Sequence, residues 1–190
     1  EDAENGLVWL PMASFNNTYV LMMRKAEAEE LGIKALSDLA DYVNAHPDDI
    51  RFATDAEFFA RPDGYPALEK LYGFKFPEDK IIKMDPGLVY KALKEHEVDV
   101  AMGFATDGRI KAFGFIALED DKQFFPVYNP APVVRKEVLE KYPEIEDILA
   151  PVAEALTTEK MTELNYLVDI EHKPVDEVAR DFLKSEGLID

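Results

Sequence analysis

The 190-residue sequence contains no cysteine. That excludes disulfides, thiolate metal sites and a cysteine nucleophile, without choosing a compartment. Basic charge is scarce: 21 Lys and Arg stand against 39 Asp and Glu, a formal charge of −18. Nucleic-acid binding needs a basic surface that displaces counterions, so that class is excluded. Only three histidines are present, and His46, His96 and His172 each lie among charged or proline neighbours with no second His at metal-ligand spacing. No apolar run approaches the ~20 residues of a membrane-spanning helix. Neither an initiator Met nor a secretory leader opens the chain, as expected of a processed protein or a piece of a longer one. A Gly-rich phosphate loop, a nucleophile elbow and an HExxH pair are also missing. Paired carboxylates such as Asp120-Asp121 read as polar turns. Nothing in this inventory points to an enzyme, a metal or a cofactor.

What the chain does have is 47% apolar and 11% aromatic residues, enough for one good core or two small lobes. Residues 6–11 predict a short strand, expected to pair with strands upstream of the sequence. Strands are also predicted at 20–23, 51–54, 81–84, 98–104 and 113–118. Helices alternate with them: 26–31 stopped by Gly32, one capped by Ser37, one carrying Leu68, Leu71 and Tyr72, one opened by Asp85-Pro86, and a short one after Asp107-Gly108. Residues 55–60 read as a loop. Pro126, Pro130 and Pro132 make 124–134 an irregular or edge strand. From Arg135 onward the pattern is helical, at 136–141, 144–156, after a Thr157 or Thr158 cap, and from Pro174 to Gly187. This order predicts α/β with a mainly parallel sheet, followed by an all-helical segment.

Aromatics stand at the edges of these elements, where core residues are less expected. Tyr19 follows two asparagines, Phe58 and Phe59 precede Arg61, Phe104 ends a strand, and Tyr128 follows Phe124-Phe125. Aromatic faces converging on one point attract a quaternary ammonium, which has no hydrogen to donate. An arginine beside them binds a carboxylate. Together they suggest a site for a zwitterion.

Phe15-Asn16-Asn17-Thr18-Tyr19, Arg61-Pro62-Asp63-Gly64, Thr106-Asp107-Gly108-Arg109-Ile110 and Phe124-Phe125-Pro126-Val127-Tyr128 occur in that order. With them the chain resembles the substrate-binding proteins of osmoprotectant ABC transporters, the glycine betaine/carnitine/choline group. The resemblance implies a type II periplasmic-binding-protein fold on the extracytoplasmic side, a quaternary-ammonium ligand and a membrane permease as partner. Residues 1–13 would end the first lobe and enter the hinge, 14–134 would form the second lobe, and 135–190 would be helices that pack on the first. Tyr19, Phe104 and Tyr128 would wall an aromatic box, Asn17 would be a polar contact, Arg61 would clamp the carboxylate, and Thr106 would lie beside the pocket. Asn16 and Thr18, alternating to the other side, would satisfy backbone. The family often has Tyr where this chain has Phe104. Its first lobe also begins further upstream, so the C-terminal helices would leave an apolar face exposed and favour self-association. The alternative is a ligand-sensing domain of a transcriptional regulator, which reuses the same fold.

Overall fold

The computed structural model describes residues 2–190. The chain forms two compact units: residues 2–17 with 127–190, and Thr18–Pro126. These bounds differ at both ends from the 14–134 lobe expected above, for a local reason. The Ser14 hydroxyl and the Phe15 N–H both donate to the Leu156 carbonyl, and the Asn16 N–H donates to the Thr158 hydroxyl. Those bonds tie 14–16 to the C-terminal helices.

The first unit opens with a 3-10 turn at Ala3–Asn5, followed by β1 (Leu7–Trp9). The chain then enters the second unit through β2 (Tyr19–Arg24), followed by α1 (Lys25–Leu31), α2 (Leu36–Ala45), β3 (Phe52–Thr54), α3 (Ala56–Ala60) and α4 (Tyr65–Tyr72). Next come β4 (Ile81–Lys83), α5 (Val89–Lys94), β5 (Val100–Phe104), α6 (Gly108–Ala112) and β6 (Phe115–Ala117). Back in the first unit are β7 (Val133–Arg135), α7 (Lys136–Lys141), α8 (Glu144–Ala155), α9 (Thr158–Asp169) and α10 (Val175–Ser185).

The second unit is built on a five-stranded sheet in the order β4-β3-β5-β2-β6. β3 runs parallel to β4 and β5, whereas β2 runs antiparallel to β5 and β6. The sheet is therefore mixed, not mainly parallel. Residues 20–24 are all buried, the run expected of a parallel strand covered on both faces, so the pattern carries no information about direction. Side chains alternate between two cores: Leu21, Met23, Phe52, Val100 and Met102 face one, and Met22, Ala53 and Ala101 face the other. By the same alternation Tyr19 and Phe104, which are register partners, share the first face.

Within the chain, residues 7–9 pair with β7, Leu7 opposite Arg135 and Trp9 opposite Val133. Three further expectations are corrected. Residues 55–60 are not a loop, because the Asp55 carboxylate accepts the Phe58 N–H at 2.8 Å and caps α3. Ser37 does not cap α2; its hydroxyl donates to Asp121, while Asp38 reaches back to the N–H groups of Lys34 and Ala35. Asp85 begins a turn that closes on the Leu88 N–H, and α5 starts after it. Past β6 the prolines act as expected of an irregular edge: the Pro132 and Pro130 carbonyls accept from Leu10 and Ala13, and neither proline has an N–H to offer.

Candidate functional site

The second unit gathers aromatics on the face shared by Tyr19 and Phe104. The Tyr19 ring centroid lies 5.1 Å from Phe104, 5.2 Å from Phe58 and 6.2 Å from Phe125, all tilted. Phe58 is fully buried and forms the floor, whereas Tyr19, Phe104 and Phe125 are only partly covered and offer ring surface. These four rings come from β2, α3, the end of β5 and the segment before Pro126. Phe125 lies within a sequence motif that does not single it out; its aromatic pair beside proline is the available signal.

Arg61 joins them. Its guanidinium carbon lies 5.7 Å from the Tyr19 ring centroid, within cation–π range, and its Nε stands 2.7 Å from Asp63 Oδ1. Glu57, one turn earlier, is 3.5 Å away. The Arg61-Pro62-Asp63-Gly64 turn is closed by the Gly64 N–H donating to the Arg61 carbonyl at 2.9 Å. A Cβ on Gly64 would lie 2.2 Å from the Phe58 carbonyl oxygen, so this approach admits only glycine.

Phe104 is anchored from behind. Its N–H donates to the hydroxyl of buried Tyr90 at 3.0 Å, and Arg109 stacks on the Tyr90 ring at 3.8 Å. Asp107 caps α6 and holds Arg109 through both carboxylate oxygens, at 2.9 and 2.6 Å. Burial alone would raise the Asp107 carboxyl, but its hydrogen bonds to Arg109 and the arginine's charge hold it below the usual carboxylate range. Burial, with Asp107 close by, pushes the Tyr90 phenol above its ordinary value, so it stays protonated. Thr106 is 5% exposed, less open than the neighbouring Phe104.

Asn17 and Tyr128 belong to the first unit. The Asn17 N–H donates to the Tyr128 carbonyl at 3.2 Å, and both residues are exposed. Asn16 Oδ1 accepts the Tyr128 N–H at 2.7 Å, and the Thr18 hydroxyl donates to the Pro126 carbonyl at 3.0 Å. These two side chains satisfy backbone, as their alternation predicted. Among the described residues no group of three or more His, Asp or Glu side chains could hold a metal, and no helix is long and apolar enough to cross a membrane.

A family model described as the substrate-binding domain of ABC-type glycine betaine transport systems matches residues 1–185. The chain belongs to this family. It is 46% identical over 194 aligned residues to a glycine-betaine-binding protein of Pseudomonas aeruginosa, covering 100% of this chain and 62% of that protein. It is 37% identical to an ergothioneine transport permease/ergothioneine binding protein of Helicobacter pylori, over 98% of this chain and 33% of that one. A crystal structure of a glycine betaine/carnitine/choline ABC transporter superposes with a TM-score of 0.89 at 36% identity, covering 100% of this chain and 67% of that one. The fold is that of the type II periplasmic binding proteins. The chain spans less than two thirds of the length of either relative.

Proposed function

We propose that this chain belongs to a solute-binding component of an ABC importer, serving on the extracytoplasmic face and delivering a quaternary-ammonium osmoprotectant to a membrane permease. In this reading Tyr19 and Phe104 take the trimethylammonium group and Arg61 takes the carboxylate. The observation that carries it is Arg61 standing over the Tyr19 ring, beside partly open Phe104 and Phe125. This pairs π-faces for a permanent cation with a fixed guanidinium for an anion. Glycine betaine and carnitine carry both charges, whereas choline lacks the carboxylate. Asn17, Thr106 and Tyr128 enter by resemblance alone, each to be tested by its own alanine variant. The role needs no bond-making chemistry, and the reading assigns no catalytic residue.

A second ligand is favoured by one comparison. Ergothioneine is also a trimethylammonium carboxylate, with a larger ring-bearing side chain, and a 37% identical relative is named for it. Both relatives are named for binding or transport, which favours the importer over a regulator. Calorimetric titration with glycine betaine, carnitine, choline and ergothioneine, on this chain and on a version extended to its relatives' length, separates these ligands. Failure of the longer protein to bind any of them would overturn the proposal.

The first unit supports a further part of the reading, self-association of this chain. Its buried apolar side chains are few: Leu10, Ala13, Ala153, Val178 and Phe182. Phe15, Pro132, Leu149, Val152, Leu156 and Met161 line an open apolar groove of about 370 Å³, and Trp9, Met12, Ile148 and Val175 are each at least 60% exposed. Apolar surface of this extent favours burial against a second copy. Sedimentation velocity from micromolar to millimolar concentration is expected to show dimers or larger species, and a monomer throughout would contradict this.

A further inference from the structure

Aromatic rings attract one another without fixing a geometry, so the shape of the cluster depends on the backbone that carries each ring. Tyr19 and Phe104 are register partners at the ends of β2 and β5. In addition, Phe58, Phe104 and Phe125 each have their backbone N–H on a side-chain oxygen, of Asp55, Tyr90 and Asp120 in turn. Asp55 is an ordinary helix cap and would be there whatever Phe58 did. Tyr90 and Asp120 are not helix caps. Tyr90 reaches Phe104 from α5, 14 residues earlier in the chain. Asp120 accepts the Phe124 N–H at 3.0 Å on one oxygen and the Phe125 N–H at 2.8 Å on the other. Each acceptor is itself held in place. Arg109 lies on the Tyr90 ring, and the Tyr72 hydroxyl donates to Asp120 at 2.6 Å while accepting the Lys122 N–H at 2.9 Å.

We propose that Tyr90 and Asp120 are positioning residues for ligand recognition: through the backbone they fix Phe104 and Phe125 around Tyr19, so that the rings present a pre-formed surface to a quaternary ammonium. This rests on the reading of the cluster as a ligand site. Preorganisation of this kind raises affinity by removing the ordering cost at binding, and its loss falls on the cation–π part of recognition.

The test compares glycine betaine with 3,3-dimethylbutyrate, which has the same shape and carboxylate but a neutral tert-butyl group. Direct and competition calorimetry are expected to give the unaltered protein a preference of about tenfold or more for glycine betaine. Tyr90→Phe and Asp120→Ala are expected to reduce that preference to about threefold or less, and Asp120→Asn, which keeps one acceptor oxygen, restores most of it. A preference unchanged in both variants, with both ligands weakened alike, would overturn the proposal, because general loosening does not single out the cation. If neither this chain nor the version extended to its relatives' length binds either ligand, the site reading fails, and ligand-free NMR decides the positioning role separately. Faster amide exchange at Phe104 and Phe125, with weakened Tyr19 ring contacts in the variants, upholds it; unchanged exchange and contacts overturn it.

Discussion

Arg61 stands between two carboxylates, Asp63 and Glu57, and is partly open beside the Tyr19 ring. A ligand carboxylate must compete with them, and hydrogen bonds to charged groups are worth about 1.5–3 kcal/mol. Arg61→Ala is therefore expected to weaken glycine betaine by about tenfold or more while leaving choline within about twofold. Titration calorimetry with both ligands checks this. Equal losses for both would mean that Arg61 only supports the fold. Gly103 is a different case. A Cβ there would lie 2.9 Å from both the Tyr90 hydroxyl and Met22 Cε. Gly103→Ala is expected to lower stability by about 1–3 kcal/mol, read from the urea midpoint. The aromatics and the arginine that the second unit gathers were legible in the sequence, and so were the backbone roles of Asn16 and Thr18. The contribution of Tyr90 and Asp120 was not, because a bond across 14 residues, or from a polar turn to the two residues that leave it, has no pattern in a linear sequence.

At the scale of elements, the turn after α3 places Arg61, and Gly64 closes it under the Phe58 carbonyl. Gly64→Ala forces this turn apart while leaving the ring-bearing strands β2 and β5 untouched. It is expected to weaken glycine betaine by about as much as Arg61→Ala, about tenfold, with β-sheet circular dichroism unchanged; full affinity in Gly64→Ala would contradict the assignment of the turn. Elements with a clear start or stop, such as α1 ending at Gly32 and α9 after a Thr157 or Thr158 cap, were legible in advance, and the structure gives the cap to Thr157. α3 was missed although Asp55 carries an N-cap signal, because five residues are too few to show a period. The direction of β2 was missed for another reason: a strand buried on both faces looks the same in either direction.

At the scale of the molecule, one ion network ties the second unit together. Buried Arg24 donates to the Leu93 and Val98 carbonyls and pairs with Glu27 and Asp99, and Asp99 also holds Arg51 through both oxygens. Burial would raise Asp99, but the hydrogen bonds and charge of Arg51, with the charge of Arg24, hold it below the ordinary value. A lowered native pKa gives stability that is complete above the unfolded value, about 3.9, and is lost as pH falls through the native one. Asp107 adds in the same direction. Urea midpoints are expected to hold from pH 7 to about pH 5 and fall steeply below about pH 4. Asp99→Asn is expected to be about 3 kcal/mol less stable at pH 7, with a shallower acid slope. An unchanged slope would mean that Asp99 plays no part in the acid transition.

On the proposed reading, the second unit recognises a permanent positive charge through ring faces and a carboxylate through Arg61. Titrating the unaltered protein with glycine betaine and with 3,3-dimethylbutyrate tests the first half directly, since the two differ only in that charge. A desolvated cation–π contact is worth about 2 kcal/mol, so glycine betaine is expected to bind about tenfold or more tightly. Equal affinities for the two ligands would contradict the claim.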